Sequence, residues 1–320
     1  MPQTDSSSRS TILVAGGNGN SGVFVVNALL ESGNFDVILL TRPESEGKHR
    51  VKSLKEKGAE IRFGDISKNS VSELEQVLKG VKIVLSMVSI APLDDQKKLF
   101  QAAKNVGVER VVPSDFATPT AGGGRLKQRK LGIRSFIKDL GIGYTFIDVG
   151  WWMELILPYP IDHPGPMTAL SRLFVGSGGV RSSVTRREDI GTFVARILAD
   201  PRTLNTYIFC HGDVVTMNEV YAIAEKVAKV DFSAVKAPLP AEAVKEKIAE
   251  LDAQKEYDST TRIFYDYGYS MYVLGENTVE NAKQLGALDA RELYPDFKPS
   301  TLEEFAVQFY KEVPPIEYDM

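Results

Sequence analysis

The chain is 320 residues long, 43% hydrophobic and 25% charged, proportions of a folded globular protein and far from those of a disordered one. Its 38 Lys and Arg against 42 Asp and Glu leave a net charge of -4, so no overall positive field exists to hold a nucleic-acid backbone or an anionic membrane surface. One cysteine, Cys210, and three histidines exclude an internal disulfide and a cysteine-based zinc site, argue against any metal site, and fit a reducing, cytoplasmic setting.

Residues 1–10, MPQTDSSSRS, carry neither the apolar core of a secretory signal nor an Arg-rich amphipathic helix, and a disordered tail is expected there. No apolar run approaches the roughly 18 residues of a membrane span. From Thr11 to Asp148 short β-branched runs, TILVAG, FDVILL, EIRF, VKIVLS, VERVV and YTFIDV, alternate with longer helical patterns. That rhythm predicts repeated βαβ units with six parallel strands, and the near-continuous apolarity of the runs predicts a sheet covered on both faces. Helices are expected over 21–32, 48–57, 71–79, 93–106 and 125–140. Ser70 with Glu73 forms a capping box, and Gly33, Gly58, Gly80, Gly107 and Gly141 stand where left-handed C-caps are needed.

Past Val149 the pattern breaks. Pro158, Pro160, Pro164 and Pro166 cannot continue a helix or a central strand, so a loop or irregular flap is expected. Two capping boxes follow, Thr185 with Glu188 and Thr216 with Glu219, each opening a helix, with the strand NTYIFC between them. A helix over 241–254, a tyrosine-rich stretch IFYDYGYSMY and a final helix over 301–312 complete the chain without βαβ rhythm. The expected class is therefore α/β: a Rossmann-type doubly wound parallel sheet over 11–154, with 182–214 packing back onto it, and a smaller C-terminal α/β substrate lobe from 155–181 and 215–320.

The first strand runs directly into GGNGNSG. Gly16, Gly19 and Gly22 satisfy G-x-x-G-x-x-G, while Gly17, Gly19 and Gly22 satisfy G-x-G-x-x-G. Either reading supplies a tight turn, a close approach of backbone to a pyrophosphate and close helix packing, with phosphate charge on the helix N-terminus. Asn18, Asn20 and Ser21 complete the loop. An NAD site would place an acid at the end of the second strand, but this chain has Thr41 and Arg42, with Lys48 nearby. Arg42 suits a 2'-phosphate, so NADPH/NADP+ is preferred over NAD.

Familiar chemistries are missing. Tyr-x-x-x-Lys occurs only at Tyr294 and Lys298, in YPDFK, where Pro295 implies a surface turn without a role. No G-x-S-x-G elbow is present. His163 and His211 read as structural. Lys127, Arg129 and Lys130 form a basic cluster of the kind that ordinarily faces water.

The glycine loop, the VILLTR strand end, LDDQKKLFQAAKNVGVERVVPSDF, KLGIRSFIKDLGIGYTFIDVGWW, TRREDIGTFVARILADPRTLN and LYPDFKPSTLEEF resemble the NmrA-like group of atypical short-chain dehydrogenases. They are most similar to its isoflavone reductase-like branch, whose members include phenylcoumaran benzylic ether reductase, pinoresinol-lariciresinol reductase and eugenol synthase. The resemblance covers nearly the whole chain after the tail. It implies an NADPH-dependent reductase, a monomer or homodimer of specialised metabolism, acting on a small aromatic or otherwise conjugated substrate. The alternative it leaves open is an NADP-sensing regulator of the NmrA type, without turnover. In that branch a lysine three positions before an Ile-Arg pair moves the proton; with Ile133 and Arg134 as the pair, this lysine is Lys130. The resemblance further places Ser86, Met87 and Val88 beside the cofactor and Ser114 to Phe116 beside the nicotinamide. The chain departs from the family at Asp115 and Ala117, where Pro-Ser-Glu-Phe-Gly is usual, and at Gly150 to Met153. There Trp151, Trp152 and Met153 are candidates for stacking on a planar substrate, with core packing as an equal alternative. Gly122 to Gly124 suggest either a flexible entrance or ordinary loop punctuation.

Overall fold

The computed structural model describes residues 9–119, 124–160, 167–236, 238–255 and 259–312. In chain order the strands are β1 Ser10–Ala15, β2 Phe35–Thr41, β3 Glu60–Phe63, β4 Ile83–Ser86, β5 Arg110–Val112, β6 Thr145–Asp148, β7 Trp151–Trp152, β8 Phe174–Val175, β9 Arg181–Thr185, β10 Thr206–Phe209, β11 Asp213–Thr216, β12 Pro238–Leu239 and β13 Ala287–Asp289. The first helices are α1 Gly22–Ser32, α2 His49–Glu56, α3 Val71–Val77, α4 Gln96–Asn105, α5 Gly124–Leu140, α6 Met153–Ile156 and α7 Met167–Ser171. They are followed by α8 Arg187–Ala199, α9 Met217–Ala228, α10 Ala241–Ala253, α11 Thr260–Tyr272, α12 Val279–Gln284, α13 Ala290–Leu293 and α14 Leu302–Lys311.

A parallel sheet of order β3-β2-β1-β4-β5 carries the first half of the chain. β6 joins it through a single parallel bridge, Val111 to Tyr144, and through the Val111 amide, which donates to Gly143 O at 2.8 Å. The sheet then continues in parallel through β10 to β13, so two strands from the second half extend the layer built by the first. Alternation along β1 shows the double winding: Ile12 and Val14 join the core formed with Val25, Val26 and Leu29 of α1 and Phe193 and Val194 of α8. Leu13 and Ala15 join the opposite core with Leu74, Leu99, Phe100, Ile133 and Ile137 from α3, α4 and α5. Successive side chains point to opposite faces, and both faces are buried, as a parallel sheet flanked by helices requires. α8 lies directly on α1, because Gly191 has no Cβ; one built there would meet the Phe24 carbonyl oxygen at 2.6 Å.

Local signals in the first half are realised closely. Ser70 and Glu73 make both bonds of the capping box, as do Thr216 and Glu219, and Gly33 caps α1 with φ 69. The tail prediction overreaches, since β1 already begins at Ser10 and Arg9 is ion-paired with Asp36.

Three expectations are corrected, and one stretch left without an assignment acquires one. Thr185 does not cap α8: its hydroxyl donates 2.5 Å to the Val149 carbonyl, and Arg186 occupies the N-cap without a side-chain cap. A buried backbone partner from the connection between β6 and β7 outcompetes the local one. The YPDFK turn forms, closed by the Phe297 amide on the Tyr294 carbonyl, but Tyr294 itself is buried, its hydroxyl donating 3.1 Å to Asp200. The proline segment holds more structure than a loop: α6, α7 and the two-residue β8; His163, Pro164 and Pro166 lie outside the described residues. Finally, the IFYDYGYSMY stretch is α11, begun by Ser259, whose hydroxyl accepts from the Arg262 amide. Among the described residues no helix is long and apolar enough to cross a membrane.

Candidate active site

The glycine loop sits between β1 and α1. A Cβ at Gly16, where φ is +81, would lie 2.5 Å from the Met87 carbonyl oxygen; one at Gly17 would strike Val26 and Leu39, and one at Gly22 would lie 2.3 Å from the Gly16 carbonyl oxygen. Packing of the protein on itself accounts for these three glycines. At Gly19 a Cβ would meet only the Gly16 carbonyl, at 3.2 Å, so its openness is explained less by packing than by a close approach from outside. The N-terminus of α1 carries no acidic residue in its first turn, and Ser21 makes no side-chain cap there, which leaves an anion-favouring helix end. Asn18, Gly19, Asn20 and Ser21 are half-buried.

Arg42 and Lys48 follow β2 and are exposed; Arg42 pairs with Glu44 at 3.8 Å. The sequence reading missed Arg50, whose guanidinium donates 2.8 Å to the Asn20 side chain and so adds a cation against the loop itself. Helical spacing on α2 offered no hint of that tertiary contact. The buried hydroxyls of Thr41 and Ser86, at the carboxyl ends of β2 and β4, find no partner among the described residues.

From the loop a line of contacts runs across the carboxyl edge of the sheet. Met87 and Val88 back Gly16; the Ser114 hydroxyl donates 2.8 Å to the Val88 carbonyl, and the Ser114 amide donates 2.8 Å to buried Gln96. Next come Asp115 and Phe116. Phe116 has φ 38, a left-handed conformation that is costly for a bulky side chain, and it is pinned by its amide, which donates 3.0 Å to the Ile147 carbonyl. Lys130, on α5, donates its ammonium to the backbone carbonyl of Asp115. The structure therefore gathers Gly16, Ser86, Met87, Val88, Ser114, Phe116 and Lys130 along one edge, although they span more than a hundred residues of sequence.

Beneath Lys130 lies a buried charge network. Lys127 is 1% exposed, a correction to the solvated cluster expected from its sequence neighbours. Its ammonium donates 2.8 Å to Asp148 Oδ2 and 2.9 Å to the Thr118 carbonyl. Arg134 donates 2.8 Å to Asp115 Oδ2 and 2.9 Å to Asp148 Oδ2, and the Tyr207 hydroxyl reaches the same Asp148 oxygen at 2.7 Å. The Arg134 guanidinium lies 4.5 Å from the centre of the Tyr207 ring and 5.1 Å from that of Phe146. Burial opposes the Asp148 charge, yet Arg134 and Lys127 hold its carboxyl down to about 2. Burial pushes Asp115 up against the pull of Arg134, and pushes Lys127 down against Asp148. The Lys130 ammonium, taken from water and facing Lys127, falls to about 8. Asp148 and Tyr207 were not singled out from the sequence, and Lys127 and Asp115 were named there without this role; an i, i+3, i+7 stripe of Lys127, Lys130 and Arg134 on α5 was the available signal.

The tryptophans part company. Trp151 packs edge-on against Phe264 and tilted against Tyr267, at centroid distances of 5.4 and 5.2 Å, and lines a small open cavity of about 20 Å³ with Leu155, Leu170, Leu173, Phe264 and Met271. Trp152 lies under the Arg187 guanidinium, 5.5 Å away. Met153 is wholly buried in the main core. Gly122 and Gly123 lie outside the described residues, while Gly124 opens α5 with φ +59.

A sheet of this order with a glycine turn ahead of α1 defines a Rossmann-type dinucleotide-binding protein. The model of the NmrA-like family matches residues 8–306. Asnovolin J 5',6'-dehydrogenase of Aspergillus novofumigatus is 32% identical over 92% of this chain and 93% of its own. Isoflavone reductase homolog P3 of Arabidopsis thaliana is 28% identical over 94% of this chain and 98% of its own. Among solved structures, the leucoanthocyanidin reductase–NADPH complex of Vitis vinifera superposes with a TM-score of 0.80 at 24% identity, over 95% of this chain and 100% of that one. The chain belongs to the NmrA-like family and, within it, to the isoflavone reductase-like oxidoreductases, a group whose solved structures include complexes with NADPH or NADP+.

Proposed function

We propose that this chain is an NADP(H)-dependent oxidoreductase of a small, apolar, conjugated or aromatic molecule, with Lys130 as its proton-transfer residue. The observation that carries the reading is the unbroken line from Gly16 through Met87, Val88, Ser114 and Asp115 to Lys130. It puts a phosphate-binding turn and a lysine of lowered basicity on one edge of one sheet.

The residues fit the dinucleotide: the open face of Gly19, the uncapped α1 N-terminus and the unpartnered Ser86 hydroxyl suit the phosphates and the groups between them. Gly16 to Gly22 would hold the pyrophosphate, and Arg42 with Lys48 the 2'-phosphate, which an arginine fork grips in two places. When bound, the cofactor supplies or takes up hydride. Lys130 does the complementary work, giving a proton from Nζ to a substrate oxygen in reduction and taking one back in oxidation. With its basicity lowered to about 8, it exchanges that proton near neutral pH. Trp151, set edge-on against Phe264, offers an aromatic surface on which a planar ring could stack.

Isothermal calorimetry with NADPH, NADP+ and NADH tests the cofactor; equal affinity for NADH, or no binding of any, overturns the assignment. Turnover is then read from nicotinamide absorbance over phenylpropanoid, enone and quinone substrates, in both directions because one relative is a dehydrogenase. In reduction the protonated lysine is the active form, so turnover falls about tenfold per pH unit above 8. Lys130→Ala should abolish most turnover and spare NADPH affinity; an unchanged rate removes Lys130 from the mechanism. Tight NADP+ binding with no turnover on any substrate would instead identify a nucleotide-sensing regulator.

A further inference from the structure

We propose that Lys127 and Asp148 are positioning residues: with Arg134, Asp115 and Tyr207 they form a charge-balanced buried lattice that holds Lys130 in place and leaves it as the one member whose charge is free to change. This inference rests on the reading of Lys130 given above, which it deepens.

The geometry separates the two lysines of α5. Lys127 is almost wholly enclosed and donates to a carboxylate, Asp148 Oδ2, as well as to the Thr118 carbonyl. Lys130 is half-buried and donates to a carbonyl, that of Asp115. A carboxylate offsets more of a buried ammonium's desolvation than a neutral carbonyl does. Inside the lattice, Asp115 and Asp148 are matched by Arg134 and Lys127. A proton on Lys130 is therefore the surplus charge, and shedding it returns the lattice to neutrality. That arrangement also explains why two acids and two bases are buried where an apolar core would be as stable: they set the charge state of a fifth group.

The same lattice fixes the position of that group. Arg134 grips the Asp115 side chain while the neighbouring Phe116 amide is tied to Ile147, so the carbonyl that receives Lys130 is anchored on both sides despite the left-handed backbone at Phe116. The charged and titratable groups turned toward Lys130 come from every packed element. They are Lys127 and Arg134 on its own helix, Asp115 after β5, Asp148 at the end of β6 and Tyr207 on β10. From α11, which packs on α5, Tyr267 and Asp266 face the lattice's acids, Asp148 and Asp115, and Asp94 ahead of α4 is held by Arg129.

Competitive acetylation of Lys130 across pH, read by mass spectrometry on the full-length chain without cofactor, gives the midpoint of its titration independently of any substrate. The wild-type midpoint is expected near 8. Lys127→Gln removes a like charge and should move it up by about one unit, and Asp148→Asn removes an opposite charge and should move it down by about one unit. The double variant K127Q/D148N keeps the lattice neutral and should bring the midpoint back. A residue that merely supported the fold would lower stability without opposed shifts. Should either single variant fail to fold, Tyr207→Phe keeps the ring on Arg134 but strips one donor from Asp148, strengthening its field, and should raise the midpoint by less than about half a unit. No shift, or shifts of one sign in both single variants, overturns the proposal. If the midpoints move as expected but Lys130→Ala retains full turnover, the lattice stands and the catalytic reading of Lys130 fails instead.

Discussion

At the glycine-loop end of the site Arg42 and Lys48 stand in solvent, with Arg42 only loosely paired to Glu44. Some distance across the sheet edge, Lys127 and Arg134 are buried against Asp148 and Asp115 at 2.8 to 2.9 Å. The same two kinds of side chain meet opposite surroundings and acquire opposite uses. In water an arginine keeps its charge and its five donors ready for an incoming anion, at the cost of screening by salt. In the interior a cation is committed to its partners, and its field acts on whatever titrates nearby. One end is suited to recognising a charge, the other to governing a proton.

This contrast can be broken most forcefully at Arg134. Replacement by Met leaves Asp115 without its ion pair and Asp148 with one cation fewer, and should cost about 3 to 5 kcal/mol of stability, measured by urea unfolding. A loss below about 1 kcal/mol would mean that the buried pairs are not compensating one another. Arg42→Gln should leave the unfolding midpoint unchanged yet weaken NADPH about tenfold, with NADH unaffected. Raising salt from 50 to 500 mM should erode the wild-type preference, because the contact is exposed; equal loss for NADH and NADPH would show that Arg42 does not read the extra phosphate. The smallest effect belongs to Glu44→Ala. Freeing Arg42 from an exposed partner at 3.8 Å should tighten NADPH by less than about threefold and not alter stability measurably.

Much of the molecule was legible from local rules, and the failures are instructive. The strand runs, Gly33 and the Ser70 and Thr216 capping boxes depend on residues within four positions of one another, and they form as read. The Thr185 box satisfied the same local rule and did not form, since the Val149 carbonyl, between β6 and β7, took the hydroxyl. Tyr294 and Lys127 were misjudged for a related reason. A proline neighbour implied a turn and basic neighbours implied solvent, but burial is decided by what packs on a residue from elsewhere: Asp200 in one case, Asp148 in the other. Arg50 escaped notice because its partner, Asn20, lies thirty residues away. Lys130 itself was found only through family resemblance. Nothing in its own neighbourhood of sequence distinguishes it from Arg129, which pairs with Asp94 at the surface.

By itself the sequence determined the parallel sheet, the glycine turn and the non-acidic residue after β2, because periodicity, backbone freedom at glycine and the sign of a charge are properties of short stretches. Only the tertiary structure decided which lysine of α5 is enclosed against a carboxylate and which rests half-buried on a backbone carbonyl, that Trp151 lines the cavity while Met153 fills the core, and that β10 and β13 complete the first sheet. Those outcomes turn on desolvation and on partners brought together by folding, and the energy of a buried charge is set by neighbours that the linear order of residues does not reveal.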